Sequence, residues 1–319
     1  MKKHILSIAF IIAALYSFGQ DVDKLIKQDE VKRIITTLAA DDMQGRRIFT
    51  PGIEKAAKFI EDEFKKIGLD PLPGNAGHRQ QVTMVGSAPP AQPLFNVAGI
   101  IPGKSKPEEY VVFSAHYDHL GIRKSMESDS IYNGADDDAS GTTAVIALAD
   151  YFKKINNNER TLIFVAFTAE ELGGYGSQHF SKQLNPDKVV AMFNIEMIGK
   201  QSKFGANSAF ITGFERSDFG PILQKSLTDT KFSFHPDPYP TQRLFYRSDN
   251  ATLARLGVPA HTISTVQIDT DKFYHQVTDE VSTLDMNNIT STIKAIALSS
   301  RSIVSGEATP TRVAKESVR

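Results

Sequence analysis

The pattern of apolar residues changes about 80 residues into the chain. Before that point, residues 22–39 and 53–67 repeat apolar positions every three or four residues, which is typical of amphipathic helices. Gly68 follows the second repeat and suits the left-handed residue that often ends a helix. The sequence therefore predicts two helices ahead of the central part of the chain.

Short apolar runs separated by turn residues begin near residue 81, and they predict strands. The predicted strands are residues 96–101, 110–115, 161–167, 189–195, 209–212 and 259–266. Helical patterns lie between or after them, at residues 139–152, 217–227 and 285–304. Runs such as LIFVAF are apolar on both faces, as in strands covered by helices on two sides. We therefore predict an α/β fold with a largely parallel mixed sheet flanked by helices on both faces.

Residues 1–19 have the features of a cleavable signal peptide. Lys2 and Lys3 precede an apolar run at residues 5–16, and Ser17 and Gly19 are small residues suited to a cleavage site. The run is too short to span a bilayer, although an N-terminal anchor is the alternative interpretation. We predict a signal peptide at 1–19, one domain at 20–306 and a loose polar tail at 307–319. The mature protein is then secreted or periplasmic, with no stable membrane anchor.

The composition restricts which catalytic groups and metal ligands the protein can use. The chain of 319 residues contains no cysteine, which excludes disulfides, a thiol nucleophile and zinc bound by cysteine sulfur. Any metal must be bound by histidine, aspartate or glutamate. The formal net charge is −1 and there is no basic stripe, so we expect no nucleic-acid partner.

Ionisable residues follow three of the predicted strands. They are His116, Asp118, Glu170, Glu171 and Glu196. Each alone is more often a cap or a surface residue, but the carboxyl ends of parallel strands meet at one edge of a sheet, where ligands bind. The segment NGADDDASG adds three adjacent aspartates before a predicted helix. Crowded carboxylates repel one another, so the sequence predicts a cation site at this edge.

Five motifs occur in order: HYDH, GADDDASG, TAEELGGYGS, NIEMIG and FYHQVTDE. Together they resemble the co-catalytic zinc exopeptidases typified by bacterial leucyl aminopeptidase, whose relatives include glutamate carboxypeptidase and glutaminyl cyclase. The likeness spans about residues 45–304. It implies two zinc ions bridged by one carboxylate, and hydrolysis of peptides that have a free N-terminus.

Matching the motifs position by position implies a set of metal ligands. His116 and Glu196 would bind one zinc, Glu171 and His275 the other, and Asp136 would bridge the two. Imidazole and carboxylate are suitable zinc ligands, and two metals about 3.5 to 4 Å apart can activate a shared water.

The resemblance also implies roles for residues that do not bind metal. Glu170 would be the general base. Asp118 would accept the other ring proton of His116 and so fix which nitrogen meets the metal. Tyr246 and Tyr274 are candidate donors to the oxyanion of the reacting carbonyl. The remaining histidines of the mature chain, including His119, are expected to be structural or surface residues.

Three features of the motifs qualify the resemblance. Glu196 stands where the aminopeptidases usually have aspartate, which leaves a single-zinc state open. Asn250 stands where the family commonly has histidine, so we assign no role to that position. The family often has a cis peptide after the bridging residue, which would be the Asp136–Asp137 bond here.

Three other functions remain open on the sequence. A single-zinc acyltransferase like glutaminyl cyclase would form pyroglutamate without releasing an amino acid. A carboxypeptidase would need a cation for the substrate carboxylate, and Arg243 and Arg247 are the candidates. A binding protein that has lost its metals would contain no zinc, although all the implied ligand positions hold competent residues.

Overall fold

We describe the fold from a computed structural model over residues 22–84, 93–123 and 129–318. The predicted signal peptide at residues 1–19 lies outside these ranges. Within them, no helix combines the length and the apolar character needed to cross a bilayer.

An eight-stranded mixed sheet lies at the centre of the fold. Its strands are β1 Arg79–Val82, β2 Leu94–Ile101, β3 Lys106–His116, β6 Arg160–Phe167, β7 Val189–Ile195, β8 Ser208–Ile211, β9 Ser233–Pro236 and β10 Ala260–Ser264. Their order across the sheet is β1-β2-β6-β3-β7-β10-β8-β9. A separate two-stranded sheet pairs β4 Gly121–Ile122 with β5 Ile131–Tyr132. Strands β6, β3, β7 and β10 are adjacent in the sheet and run parallel to one another, so their carboxyl ends share one edge.

Helices cover both faces of the sheet, and the fold class is as predicted. The helices are α1 Gln28–Leu38, α2 Pro51–Ile67, α3 Gly141–Ile155, α4 Tyr175–Gln183, α5 Phe219–Lys225, α6 Asn250–Ala254, α7 Met286–Ser299 and α8 Arg301–Val304. Gly68 ends α2 at φ 81°, as its position in the sequence predicted.

Alternate residues of the central strands enter two different apolar cores. Phe113 and Phe164 point into the core shared with α1, α2, α3 and α7, where their rings stack at 5.3 Å. Val112 and Ile163, one position earlier, point into the core shared with α4 and α6. Both faces of these strands are therefore buried, which explains why the runs are apolar throughout.

The C-terminal tail is packed rather than loose. Val313 and Val318 are buried in the second core, and Arg312 donates to the carbonyl of Val189 at 2.7 Å. The prediction of a loose tail is wrong for residues 307–318, because its few apolar side chains cover the sheet. Sequence analysis also missed α4, whose sequence YGSQHFSKQ contains too few apolar positions for a helical pattern.

Candidate metal centre

The carboxyl edge of the parallel strands brings most of the predicted site residues together. His116 is the last residue of β3, and Glu196 directly follows β7. Glu170 and Glu171 follow β6 by a few residues, and His275 comes from the loop after β10. The side chains therefore meet because the strand order places β3 between β6 and β7.

Two groups of possible metal ligands share one aspartate. The first contains His116, Asp137 and Glu196, and the second contains His119, Asp137 and Glu171; in each group the ligand atoms lie within 4.8 Å of one another. His275 joins the second group, since its Nε2 lies 3.2 Å from both Asp137 Oδ2 and Glu171 Oε2. Asp137 thus occupies the position between the two groups.

Asp136, the predicted bridging residue, lies beside this centre and not in it. Its Oδ2 pairs with Lys200 Nζ at 2.8 Å, and its Oδ1 accepts the backbone N–H of Gly199 at 2.7 Å. The side chains of Asp136 and Asp137 point in different directions, so the carboxylate of Asp137 reaches the two ligand groups and that of Asp136 does not. The prediction of Asp136 is therefore wrong by one position, and the cis peptide is Asp137–Asp138 instead of Asp136–Asp137.

A network of one lysine and three aspartates supports the centre from behind. Lys200 lies 2.8 Å from Asp136, 3.5 Å from Asp271 and 3.9 Å from Asp279. The carboxylate of Asp279 accepts the backbone N–H groups of Asp136 and Asp137 at 3.0 to 3.1 Å. We call these four residues, Lys200, Asp136, Asp271 and Asp279, the lysine network.

The lysine network also reaches the loop that carries His275. Asp271 Oδ1 accepts the backbone N–H groups of Phe273 and Tyr274 at 2.6 and 3.0 Å, while its Oδ2 faces Lys200. The network therefore joins the loops that carry Asp137 and His275. Asp136 and Asp279 lie within the motifs GADDDASG and FYHQVTDE, and Lys200 directly follows NIEMIG. Sequence analysis missed their pairing because the members of the network lie far apart in the chain.

Asp118 supports the site through different atoms from those predicted. His116 Nδ1 lies 3.1 Å from the backbone carbonyl of Asp118, whereas the nearest carboxylate oxygen is 3.9 Å away. The carboxylate instead accepts the backbone N–H groups of Glu170 and Glu171 at 3.0 and 3.3 Å. The carbonyl fixes the imidazole, and the side chain fixes the loop of the two glutamates, so the predicted accepting atom was wrong.

Glu170 lies next to the ligand groups and belongs to neither of them. Burial raises the pKa of Glu170 well above its usual value, against the attraction of His116, and the carboxylates of Glu196 and Asp249 raise it further. A carboxylate whose pKa is raised in this way is suited to taking up a proton and giving it back.

The structure separates the two candidate tyrosines. The ring of Tyr274 stacks on that of His275, with centroids 4.0 Å apart, and lines a small cavity beside Glu196. The hydroxyl of Tyr246 instead accepts a hydrogen bond from Arg216 at 3.0 Å, and its ring packs against the second core. Tyr274 is therefore placed at the site, whereas Tyr246 contributes to packing.

The cavity beside Glu196 has a volume of about 40 Å³ and mixed walls. Its apolar lining residues are Met197, Phe210, Leu244, Val266 and Ile268. Hydroxyl groups and Arg247 complete the walls, and Arg247 is exposed to solvent. Such a cavity can receive a small or medium-sized side chain.

The donor set fits metal ions because buried polar atoms lack partners there. His116 Nε2, Asp137 Oδ2 and Glu196 Oε2 are buried, and none makes a hydrogen bond of good geometry with the residues that the structure describes. His116 Nε2 lies 3.2 Å from Asp137 Oδ1, and Asp137 Oδ2 lies 3.2 Å from His275 Nε2. Buried polar atoms nearly always make hydrogen bonds, so donor atoms that converge in this way without them are suited to binding a cation. Neutral imidazole and carboxylate are donors that zinc accepts.

The pKa shifts of the buried groups also favour a cation at this centre. Burial raises the pKa of Glu196 to about 7. Burial favours neutral His116, yet contact with Asp137 and the charges of Glu170 and Asp138 raise its pKa well above the usual value. The raised pKa values show that the crowded carboxylates favour added positive charge, which a bound cation supplies.

The fold and the site together define an α/β protein with a candidate two-metal centre at the carboxyl edge of its sheet. The model of peptidase family M28 matches residues 96–299, nearly two thirds of the chain. The chain belongs to this family, and the resemblance to co-catalytic zinc exopeptidases is confirmed at that level.

Individual relatives are distant in sequence. Leucine aminopeptidase 1 of Emericella nidulans is 28% identical over 283 residues, which cover 82% of this chain and 70% of the relative. Other leading curated relatives are matched over only 42 to 52% of their length, so the chain spans about half of those proteins.

Solved structures support the fold. A zinc aminopeptidase from Bacillus subtilis has a TM-score of 0.69 and 16% identity, over 89% of this chain and 97% of that one. Glutaminyl cyclase from Porphyromonas gingivalis has a TM-score of 0.67 and 14% identity, over 88% and 99%. The same fold thus occurs in a zinc aminopeptidase and in a cyclase.

Proposed function

We propose that the chain is a zinc-dependent aminopeptidase that hydrolyses the N-terminal residue from peptides. The observation that carries this proposal is the position of Asp137, which belongs to both ligand groups at once. A centre with two adjacent metals suits hydrolysis, because two cations can hold and activate one water molecule. Leucine aminopeptidase 1 of Emericella nidulans, a relative over most of this chain, supports the choice among family activities.

The proposed ligand assignment keeps the first group and changes one member of the second. His116, Asp137 and Glu196 would hold one zinc. Asp137, Glu171 and His275 would hold the other, with His275 in place of His119 because its Nε2 contacts both carboxylates. When bound, the zinc ions supply Lewis acidity toward the carbonyl and an activated water. The described contacts between His275, Asp137 and Glu171, each at 3.2 Å, support the second site.

Glu170 is proposed to move the proton. Its raised pKa lets the carboxylate accept a proton from the attacking water and return it to the departing amine. Asp118 holds the backbone of Glu170 in place through a 3.0 Å hydrogen bond. The hydroxyl of Tyr274, beside His275, is proposed to donate to the oxyanion of the carbonyl.

The cavity beside Glu196 is proposed to receive the side chain of the N-terminal residue. Its apolar walls favour apolar side chains of modest size. The signal-like residues 1–19 support export of the mature protein to the periplasm or the medium. Amino-terminal sequencing of the protein purified from the cytoplasm, the periplasm and the medium tests export. Protein found in the cytoplasm with Met1 still present would contradict it.

A carboxypeptidase is the second candidate, because Arg247 lines the cavity and could receive a substrate carboxylate. Arg243, the other candidate cation, lies over the ring of Tyr246, 5.2 Å from its centroid, and is not among the lining residues. Replacement of Arg247 by Gln separates the two functions. A carboxypeptidase would lose binding of substrates with a free C-terminus, whereas cleavage of aminoacyl-nitroanilides would remain.

The proposal is tested by release of nitroaniline from a panel of aminoacyl-p-nitroanilides, with Gln-peptides included to detect pyroglutamate. We expect release by the wild-type protein loaded with zinc. Glu170→Gln should release product about 10²- to 10⁴-fold more slowly, because the proton acceptor is lost, while its zinc content stays the same. Pyroglutamate without free amino acid would establish a cyclase, and full activity of Glu170→Gln would refute the assigned base.

A further inference from the structure

His119 is a buried histidine that the ligand assignment above leaves without a role. Its side chain is 0% exposed, and its Nδ1 lies 2.8 Å from Glu171 Oε1. The same nitrogen is 3.9 Å from Asp137 Oδ2, and the ring meets that of His275 edge to face at 5.9 Å between centroids. His119 thus touches all three residues proposed to hold the second zinc.

The two carboxylate oxygens of Glu171 face different histidines. Oε1 lies beside His119, and Oε2 lies beside His275 and Asp137. The glutamate side chain has several rotatable bonds, so an oxygen is held toward a metal only if something fixes the carboxylate. A ring N–H on Oε1 fixes it and leaves Oε2 directed at the second ligand group.

The fold holds His119 rigidly enough for that task. Its backbone N–H donates to the carbonyl of Arg46 at 3.3 Å. Gly134 packs against the ring so closely that a Cβ there would lie 2.5 Å from an imidazole carbon. The preceding residue, Asp118, accepts the backbone N–H of Glu171. One short segment therefore holds both the backbone and the side chain of Glu171.

We propose that His119 is a positioning residue for the second metal site. Its Nδ1–H donates to Glu171 Oε1, so that Glu171 presents Oε2 to the metal held with Asp137 and His275. The inference rests on the proposed function, because it concerns the second of the two proposed zinc sites. The competing role is direct ligation, since His119 belongs to the second ligand group.

Substitutions at His119 separate a hydrogen-bond donor from a ligand. His119→Asn places an amide N–H near the position of Nδ1, but an amide is a poor zinc ligand. His119→Leu keeps much of the volume and removes the donor. His119→Gln, whose amide reaches the Nε2 position instead, is the substitute if the leucine variant does not fold.

The experiment is titration of the metal-free full chain with Co²⁺, followed by equilibrium dialysis and visible absorption, with melting temperature as the folding control. We expect the wild-type chain to bind two ions. His119→Leu should bind the second ion about 10- to 100-fold more weakly with the first unchanged. His119→Asn should bind it within about threefold of wild type, with the same spectrum, because the donor is restored.

Three results overturn the inference. An unchanged second affinity in His119→Leu would show that the contact does not matter. An equal loss in His119→Asn, with a changed absorption spectrum, would make His119 a direct ligand. A wild-type chain that binds fewer than two ions would refute the second site itself, and with it the proposed function. A chain that binds two ions normally but cleaves no peptide would refute the activity alone, because binding is measured without turnover.

Discussion

Replacement of Lys200 by methionine perturbs the lysine network while preserving most of the side-chain volume. Lys200 Nζ is the cation of the network, 2.8 Å from Asp136 and 3.5 Å from Asp271. Asp136 is fully buried, so its carboxylate cannot turn to water when the cation is removed. We expect the variant to be less stable, because a buried charge is left without its partner.

The size of the effect follows from the geometry. At 2.8 Å, an effective dielectric constant of about 20 gives an attraction of about 6 kcal/mol. Part of this lost attraction is offset, because folding of the variant no longer removes water from the ammonium group of Lys200, whose side chain is 19% exposed. Asp136 also keeps the N–H of Gly199. We therefore expect a loss of about 3 kcal/mol in the free energy of unfolding, at the lower end for a broken buried pair.

The assay is urea unfolding of wild type, Lys200→Met, Asp136→Asn and the double variant. The double variant should lose clearly less than the sum of the two single variants, because the two residues act on each other. Lys294→Met is a matched control: Lys294 pairs with Asp23 at 2.7 Å, but the Asp23 side chain is 69% exposed. Exposed pairs contribute about 0 to 1 kcal/mol. A loss below about 1 kcal/mol in Lys200→Met, with additive single effects, would refute the role of the network.

Three further predictions concern stability. Burial lowers the pKa of His261 to about 4, so the unfolded chain takes up this proton near pH 6.5 and the folded chain only near pH 4. The free energy of unfolding should therefore fall by about 3 kcal/mol between those pH values. In His261→Asn this contribution to the decline should be absent when unfolding is measured at pH 7 and pH 4. An equal decline in both proteins would contradict the prediction. Arg46 is fully buried and donates to four backbone carbonyls, including those of Tyr117 and Gly134 beside the site, so Arg46→Met should lose at least about 3 kcal/mol in urea unfolding. A loss under about 1 kcal/mol would refute that role. Zinc at 100 times its dissociation constant should add about 2.7 kcal/mol per site to the free energy of unfolding and raise the melting temperature; an unchanged melting temperature after removal by a chelator would contradict binding to the folded state.

The sheet was predictable because its pattern is dictated by burial. The central strands are apolar on both faces, and the observed strands β3, β6 and β7 begin and end within a few residues of the predicted runs. Strand β1 and helix α4 were missed, because Arg79–Val82 is largely polar and α4 has few apolar positions. Their places are set by tertiary contacts that a local pattern does not contain.

The candidate site was predictable to the motif but not to the residue. The order of strand ends predicts that His116, Glu171 and Glu196 lie together, whereas their roles as ligands came from the family resemblance. In GADDDASG, three aspartates are chemically equivalent in sequence, and the direction of each side chain depends on the backbone of the turn. Asp136 was chosen, whereas the structure directs Asp137 to the ligand groups.

His119 illustrates the same limit. A histidine three residues after a predicted ligand is usually structural, and its contact with Glu171 joins positions 52 residues apart. The lysine network joins segments even more distant in sequence. Contacts of this kind depend on the packed fold, so a single sequence shows the residues without the pairing.

The most direct test of the central claim is the zinc content per folded chain, measured by elemental analysis for the wild type, Asp137→Asn and Asp136→Asn. If Asp137 is shared by two metal sites, the wild type holds two zinc ions and Asp137→Asn holds fewer than one. Asp136→Asn should keep both, since its side chain faces Lys200. Loss of zinc from Asp136→Asn with full retention in Asp137→Asn would contradict the assignment.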